Sequence, residues 1–203
     1  LKGKTLPGRT TLADKVPVRV LLQNATLEND KEGFINLEDA VTNLGIHDVL
    51  FAHSEVIELT GITNQEVAHL AKRAHGLKKE GKLQGNVIVA VGETSADYEA
   101  GNSEKIVRDQ VLGRLSGLTD EEASETVIAY EPRWAIGTGI TPKNEEIQKM
   151  HAAIRNVIRD QYGLKASQKI RIIYGGSLNI QNAEEILKLK DVDGGLIGSA
   201  STS

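Results

Sequence analysis

Short apolar runs recur along the chain, separated by amphipathic stretches. The runs VRVLL (18–22), DVLFA (48–52), NVIVAV (86–91), TVIAY (126–130), IRIIY (170–174) and GGLIG (194–198) are rich in Val, Ile and Leu. Each is about strand length and nearly continuous in apolar character, as parallel strands buried on both faces are. Between them, residues 64–80 place Val67, Leu70, Ala71 and Ala74 on one helical stripe. Residues 144–160 do the same with Ile147, Met150, Ile154 and Ile158, after a start signal at Pro142 and Asn144 and before a stop at Gly163. A shorter helix is expected over 180–190, from Ile180, Ala183, Ile186 and Leu187. Alternation of strand and helix predicts an α/β fold, either an open doubly wound sheet or a (β/α) barrel.

The remaining pattern narrows this. No G-x-G-x-x-G follows the first strand, which weakens the dinucleotide-binding version of the open sheet. No linker divides the 203 residues, so one domain over 1–203 is expected, with the polar segment 1–17 (Pro7, Gly8, Pro17) as a loop or frayed start. The KGKT near the start lacks the spaced glycine and preceding strand of a phosphate-binding loop.

Composition excludes several functional classes. A net charge of -4 argues against general nucleic-acid binding, which needs a basic stripe. No apolar run approaches a membrane span, and the absence of cysteine removes disulfides and thiolate metal sites. A cytoplasmic protein is expected.

Candidate chemistry lies where parallel strands end, because α/β proteins gather functional groups beyond the carboxyl ends of their strands. There the chain carries Gln23 and Asn24, then His53, Ser54 and Glu55, then Gly92, Glu93 and Thr94. Glu131 to Trp134 follow the fourth run, Gly175-Gly176-Ser177 the fifth, and Gly198-Ser199 the last. Glycine turns can bind phosphate through backbone N–H groups. A histidine at a helix N-terminus favours the neutral ring, which can donate to a carbonyl oxygen. A carboxylate facing it could move a proton from the adjacent carbon. The set points to isomerisation of a phosphorylated ketose or aldose without metal or organic cofactor. Taken singly, each signal has a plainer structural explanation: Glu131 a solvated loop acid, His-Ser-Glu a helix cap with Ser54 as the capping residue. His47, His69, His75 and His151, lacking a strand-end acid, are expected at the surface or boundary.

Six segments resemble one family. AYEPRWAIGTG (129–139), YGGS (174–177), GLIGSAS (195–201), QN (23–24), HSE (53–55) and VGET (91–94) occur in the order and spacing of the triosephosphate isomerase family, from about residue 18 onward. The resemblance implies a (β/α)8 barrel of which this chain covers about six units. It implies Glu131 as catalytic base and His53 as electrophile, with Glu55, Gln23 and Asn24 supporting. Gly137, Ser177, Gly198 and Ser199 would bind the substrate phosphate. Pro132, Arg133, Trp134, Ala135, Ile136, Gly137, Thr138 and Gly139 would form a lid loop. No cofactor is implied, the partner is a small phosphorylated sugar, and a homodimer is expected.

Departures from the family accompany the likeness. No Asn-x-Lys motif follows any strand, and two βα units are expected to precede residue 18. The chain is therefore expected to be part of a longer protein, with little activity in these residues alone. Val56 and Ile57 replace two arginines, Ile62 replaces a glutamate, and Gly33-Phe34-Ile35-Asn36-Leu37 replaces the usual tip of the dimer-forming loop. Arg133 stands where a small apolar residue is more usual. Two other readings stay open: an isomerase of a longer ketose phosphate such as erythrulose phosphate, and a non-catalytic barrel relative.

Overall fold

The computed structural model describes residues 20–136 and 138–197. In chain order its elements are β1 (Leu21–Leu22), β2 (Ala25–Thr26), β3 (Ile35–Asn36), α1 (Leu37–Asn43), β4 (Asp48–Phe51), α2 (Ser54–Thr60), α3 (Asn64–Lys79) and β5 (Val87–Val91). Next come α4 (Ser95–Glu99), α5 (Ser103–Arg114), α6 (Asp120–Glu125), β6 (Val127–Tyr130) and α7 (Asn144–Tyr162). The last are α8 (Leu164–Lys169), β7 (Arg171–Tyr174), α9 (Ala183–Leu187) and β8 (Gly194–Gly195).

Six strands form one parallel sheet in the order β1-β4-β5-β6-β7-β8, and β2 pairs with β3 apart from it. Spatial order follows chain order throughout, so the winding never reverses. A doubly wound sheet requires a reversal, whereas a barrel requires none. The described residues thus follow the barrel alternative and supply six successive strands of the eight that close one.

Period-2 alternation divides the strand side chains between two clusters. Leu50, Ile88, Ala90, Val127 and Ala129 point to one face, where Leu21, Ile173 and Leu196 join them. This is the barrel's inner face. Val49, Phe51, Val89, Val91, Ile128, Ile172 and Tyr174 point to the other and pack under the helices, against Leu70, Ala74, Val111, Ile147 and Ile154. Fully burying each Val, Leu or Ile contributes about 1.5–3 kcal/mol.

Local signals explain the helix starts. Thr63 caps α3, its hydroxyl accepting from the Glu66 N–H at 3.2 Å while the Glu66 carboxylate accepts from the Thr63 N–H at 2.7 Å. Reciprocal caps of this kind also open α4 at Thr94 and α6 at Thr119.

Several expectations need correction. Strands are shorter than the apolar runs: the ladder begins at Leu21, Val87, Val127 and Arg171, and β8 holds only Gly194–Gly195. The helix expected over 180–190 contracts to Ala183–Leu187, because Asn179 and Asn182 brace a turn before it through reciprocal side-chain hydrogen bonds. His75 and His151 are core residues, 3% and 0% exposed. His75 Nε2 meets the Thr126 hydroxyl at 2.8 Å, and His151 Nδ1 meets the Asp191 carbonyl at 3.1 Å. Burial drives the His151 pKa down to about 4. His47 is half-buried and His69 exposed. The segment 1–17 and the first two residues of the run 18–22 lie outside the described residues.

Candidate active site

Register alone fixes where Glu131 points. Val127 and Ala129 face the inner cluster, so the same alternation turns Glu131 inward at the carboxyl end of β6. Its neighbours across the ladder follow from the pairs Val91↔Tyr130 and Tyr130↔Tyr174, which bring Gly92 and Gly175 to its two sides. A side chain at either position would press on Glu131, against its backbone from Gly92 and against its side chain from Gly175. A Cβ on Gly92 would lie 1.7 Å from the Glu131 carbonyl oxygen, and one on Gly175 would lie 2.9 Å from Glu131 Cγ. The Glu131 N–H donates to Val91 O and the Gly175 N–H to Tyr130 O, each at 2.8 Å. The Gln110 amide grips Gly92 from outside, accepting from its N–H at 2.7 Å and donating to its carbonyl at 3.0 Å. Glu131 is 3% exposed.

His53 is held differently. Ala52, just past β4, adopts a left-handed backbone with φ 62, and His53 follows as the N-cap of α2. The cap is His53 itself and not Ser54 as expected: its Nδ1 accepts from the Glu55 N–H at 3.3 Å. An imidazole that accepts at Nδ1 carries its neutral-form proton on Nε2. That nitrogen faces the site, 3.8 Å from Glu131 Oε2. The Glu55 side chain is exposed, so Glu55 serves the site through its backbone N–H.

Burial pushes the Glu131 carboxyl above the usual carboxylate range, opposed by His53, Ser54 and Arg133. Its Oε1 is buried without a hydrogen-bond partner. An unpaired, desolvated carboxylate oxygen is a strong acceptor, and the imidazole nitrogen stands 3.8 Å from the other oxygen of the same carboxylate. The pair can take a proton from one atom and hydrogen-bond a neighbouring oxygen.

The segment after Glu131 is braced on two sides. The Arg133 N–H donates to Glu93 O at 3.1 Å, and Arg133 Nη2 donates to Glu58 Oε1 at 3.0 Å. Trp134 stacks on Tyr98 with ring centroids 3.9 Å apart, and its Nε1–H donates to Glu93 Oε1 at 2.7 Å. The Tyr130 hydroxyl donates to that same oxygen at 2.8 Å. Pro132 and Ala135 are buried, Arg133, Trp134 and Ile136 half-buried, and Thr138 and Gly139 exposed. The Thr138 hydroxyl donates to Ala135 O at 3.2 Å, and Gly139 takes φ 72.

The remaining candidates are less closely grouped. Ser177 is exposed in the turn after β7, its carbonyl accepting from Asn182 Nδ2 at 3.1 Å. Gln23 is exposed, and Asn24 donates through Nδ2 to Gly33 O at 2.9 Å, which ties the loop before β3. Gly137, Gly198 and Ser199 lie outside the described residues. Among the described residues no group of His, Cys, Asp and Glu has a metal-holding arrangement, and no helix is long and apolar enough to cross a membrane.

Three further groups stand near the site: Glu93, placed at a strand end by the sequence but given no role, and Tyr98 and Arg114, which the sequence did not single out. Glu93 is fully buried, and burial raises its carboxyl above the usual range. Tyr98 supplies the stacking wall for Trp134. Arg114 is 5% exposed, donating to Ala90 O and to Asn64 Oδ1, with its pKa lowered to about 10 by burial. Only Glu93 had a visible signal, since it follows a strand end. The other two sit on helices as ordinary polar residues.

Comparison with known proteins agrees with this architecture. The chain is 37% identical to a triosephosphate isomerase of Chloroherpeton thalassium over 189 residues, covering 93% of this chain and 73% of that relative. It is 38% identical to that of Acetivibrio thermocellus, covering 97% and 76% of the two, and 42% identical to that of Chlorobaculum tepidum, covering 91% and 72%. The family model described as triosephosphate isomerase matches residues 12–203, and the chain belongs to the triosephosphate isomerase family.

Proposed function

We propose that the protein interconverts dihydroxyacetone phosphate and glyceraldehyde 3-phosphate by proton transfer through an enediolate. The observation that carries this reading is the facing pair at the strand ends, Glu131 Oε2 and His53 Nε2 at 3.8 Å. Glu131 takes the proton from one substrate carbon and returns it to the next. Its burial, 3% exposed, raises its basicity relative to a solvated carboxylate. His53 donates its Nε2–H to the carbonyl oxygen, where negative charge develops. Nδ1 is occupied by the Glu55 N–H, so in the neutral ring the donating proton sits on Nε2, the nitrogen that faces the site. A neutral imidazole is a weak acid and matches an enediolate oxygen better than an imidazolium, which would protonate that oxygen outright.

Phosphate binding falls to backbone donors, with the glycine turn before Ser177 closest to the pair in register. Residues 132–139 act as a lid, and its closure excludes water from an intermediate that could otherwise lose phosphate.

Interconversion of the two triose phosphates is measured on the purified native protein, together with wash-in of solvent deuterium at the exchanging carbon. Glu131→Gln is expected to lower turnover by at least about 100-fold, the scale of a lost general base. Full activity in that variant overturns Glu131 as the base, whereas a parent with no turnover favours a non-catalytic role. Faster turnover of a four-carbon ketose phosphate than of the triose phosphate moves the reading to the longer substrate.

A further inference from the structure

Arg133 follows the proposed base by two positions, yet its guanidinium pairs with Glu58 and not with Glu131. Its side chain is only 19% exposed, its Nε is buried with no hydrogen-bond partner, and its Nη2 reaches Glu58 Oε1 at 3.0 Å. Glu58 lies in α2, the helix that His53 caps, 75 residues from Arg133 in sequence. Arg133 borders a small space shared with Ala52, Ser54, Ile57, Arg114 and Glu131. One ion pair therefore spans the two segments that carry the base and the imidazole.

The route of the guanidinium matters as much as its end. An arginine in this position lies among several anions: Glu58, with which it pairs, and Glu131 and Asp97, which both feel its charge. A guanidinium seated on the Glu131 carboxylate would occupy the lone pairs that must receive the substrate proton. Glu58 instead holds the cation at α2. The backbone N–H of Arg133, fixed on Glu93 O at 3.1 Å, prevents the whole residue from following. The two contacts tie the residue after Pro132 to the strand end on one side and to α2 on the other.

We propose that Arg133 is a positioning residue whose ion pair with Glu58 clamps the Glu131 segment to the His53 helix and keeps the guanidinium off the base. This rests on the roles given to Glu131 and His53 above. An exposed ion pair that did nothing else would contribute little. A clamp on a proton-transfer pair acts on geometry, where displacements well under 1 Å change rates.

Two kinds of measurement test it on the native protein. Steady-state kinetics compare the parent with Glu58→Gln, Arg133→Val, Arg133→Lys and the double variant Glu58→Gln/Arg133→Val. Glu58 is 65% exposed, so Glu58→Gln folds even where an Arg133 variant does not. Glu58→Gln and Arg133→Val are each expected to lower kcat about tenfold, less than the ~100-fold of a 1 Å misplacement, with KM within about twofold. Arg133→Lys recovers most of the loss, and the double variant is no worse than the poorer single one. Singles within about twofold of the parent, losses that multiply in the double variant, or an effect on KM alone each overturn the clamp.

The second measurement needs no turnover. In protein labelled with nitrogen-15 histidine, Glu58→Gln is expected to shift the His53 Nε2 resonance and leave His75 and His151 in place. An unmoved His53 resonance overturns the clamp. A parent that fails to isomerise triose phosphates overturns the proposed reaction instead, and the resonance shift then decides the clamp separately.

Discussion

Glu131 and His53 follow the ends of β6 and β4, two strands of one sheet with β5 between them, but they are held in place by different means. Glu131 is set by register: its strand is paired on both sides, and glycine stands beside it on each. His53 lies two residues past β4, a strand also paired on both sides, and is set by one strained residue, Ala52 at φ 62, and by its own capping bond to Glu55. A residue fixed by two ladders can move only if the sheet moves. A residue fixed by a turn can move alone. The base is thus the rigid member of the pair, and the imidazole the adjustable one.

That contrast breaks first at the glycines. In Gly92→Ala the new Cβ would lie 1.7 Å from the Glu131 carbonyl oxygen, and backbone in two paired strands cannot retreat. We expect a loss of about 3 kcal/mol or more in urea denaturation, the upper end of overpacking costs, with activity lost alongside. An unchanged midpoint would show that the strand ends yield, and that register does not hold Glu131. Gly175→Ala is milder for the fold, because its Cβ meets the Glu131 side chain at Cγ, 2.9 Å away. The carboxylate gives way first. The expected result is a kcat reduced by about 100-fold with a stability loss of about 1–3 kcal/mol.

Rigid burial also sets a pH signature. Burial raises the folded-state pKa of Glu131 above its ordinary value of 4.5. Below that value the carboxyl is protonated folded or unfolded, and it costs nothing. As pH rises toward and through the folded pKa, the unfolded chain ionises more readily than the folded one, so stability falls. Glu131→Gln removes this term. Its thermal midpoint is expected to exceed the parent's at neutral pH and to converge with it near pH 4. A gap that widens on acidification would mean that the carboxylate is stabilised by the fold, against its burial.

The same contrast separates what the sequence displayed from what it concealed. Strands and long helices were legible because burial on a face leaves a period, as in TVIAY and in the stripe from Ile147 to Ile158. That stripe also held an overlooked message. His151 lies one turn after Ile147, and His75 one turn after Ala71, so both occupy core positions despite their polar type. Helix α5 was not anticipated, since Val107 and Val111 are its only buried apolar residues and its third buried position is Arg114. Glu131 and His53 were visible as strand-end residues, and alternation from Val127 even gives the side that Glu131 faces. Pairings such as Arg133 with Glu58 or Trp134 with Glu93, 75 and 41 residues apart, depend on how the sheet brings loops together, and no local pattern encodes them.

The smallest effect should come from the adjustable side. Ala52→Gly relieves a left-handed alanine, worth about 1–2 kcal/mol. Against this stand about 0.5–1 kcal/mol of added backbone freedom in the unfolded chain and about 0.8 kcal/mol for one lost buried methyl. Ala52 is 3% exposed, so that methyl counts in full. The terms nearly cancel, and the denaturation midpoint should barely move. What does change is the aim of His53, because glycine widens the backbone range immediately before the cap. Turnover should therefore fall modestly, by less than about tenfold, while stability stays level. If stability and kcat instead drop together, the turn is part of the rigid frame, and His53 is no more adjustable than Glu131.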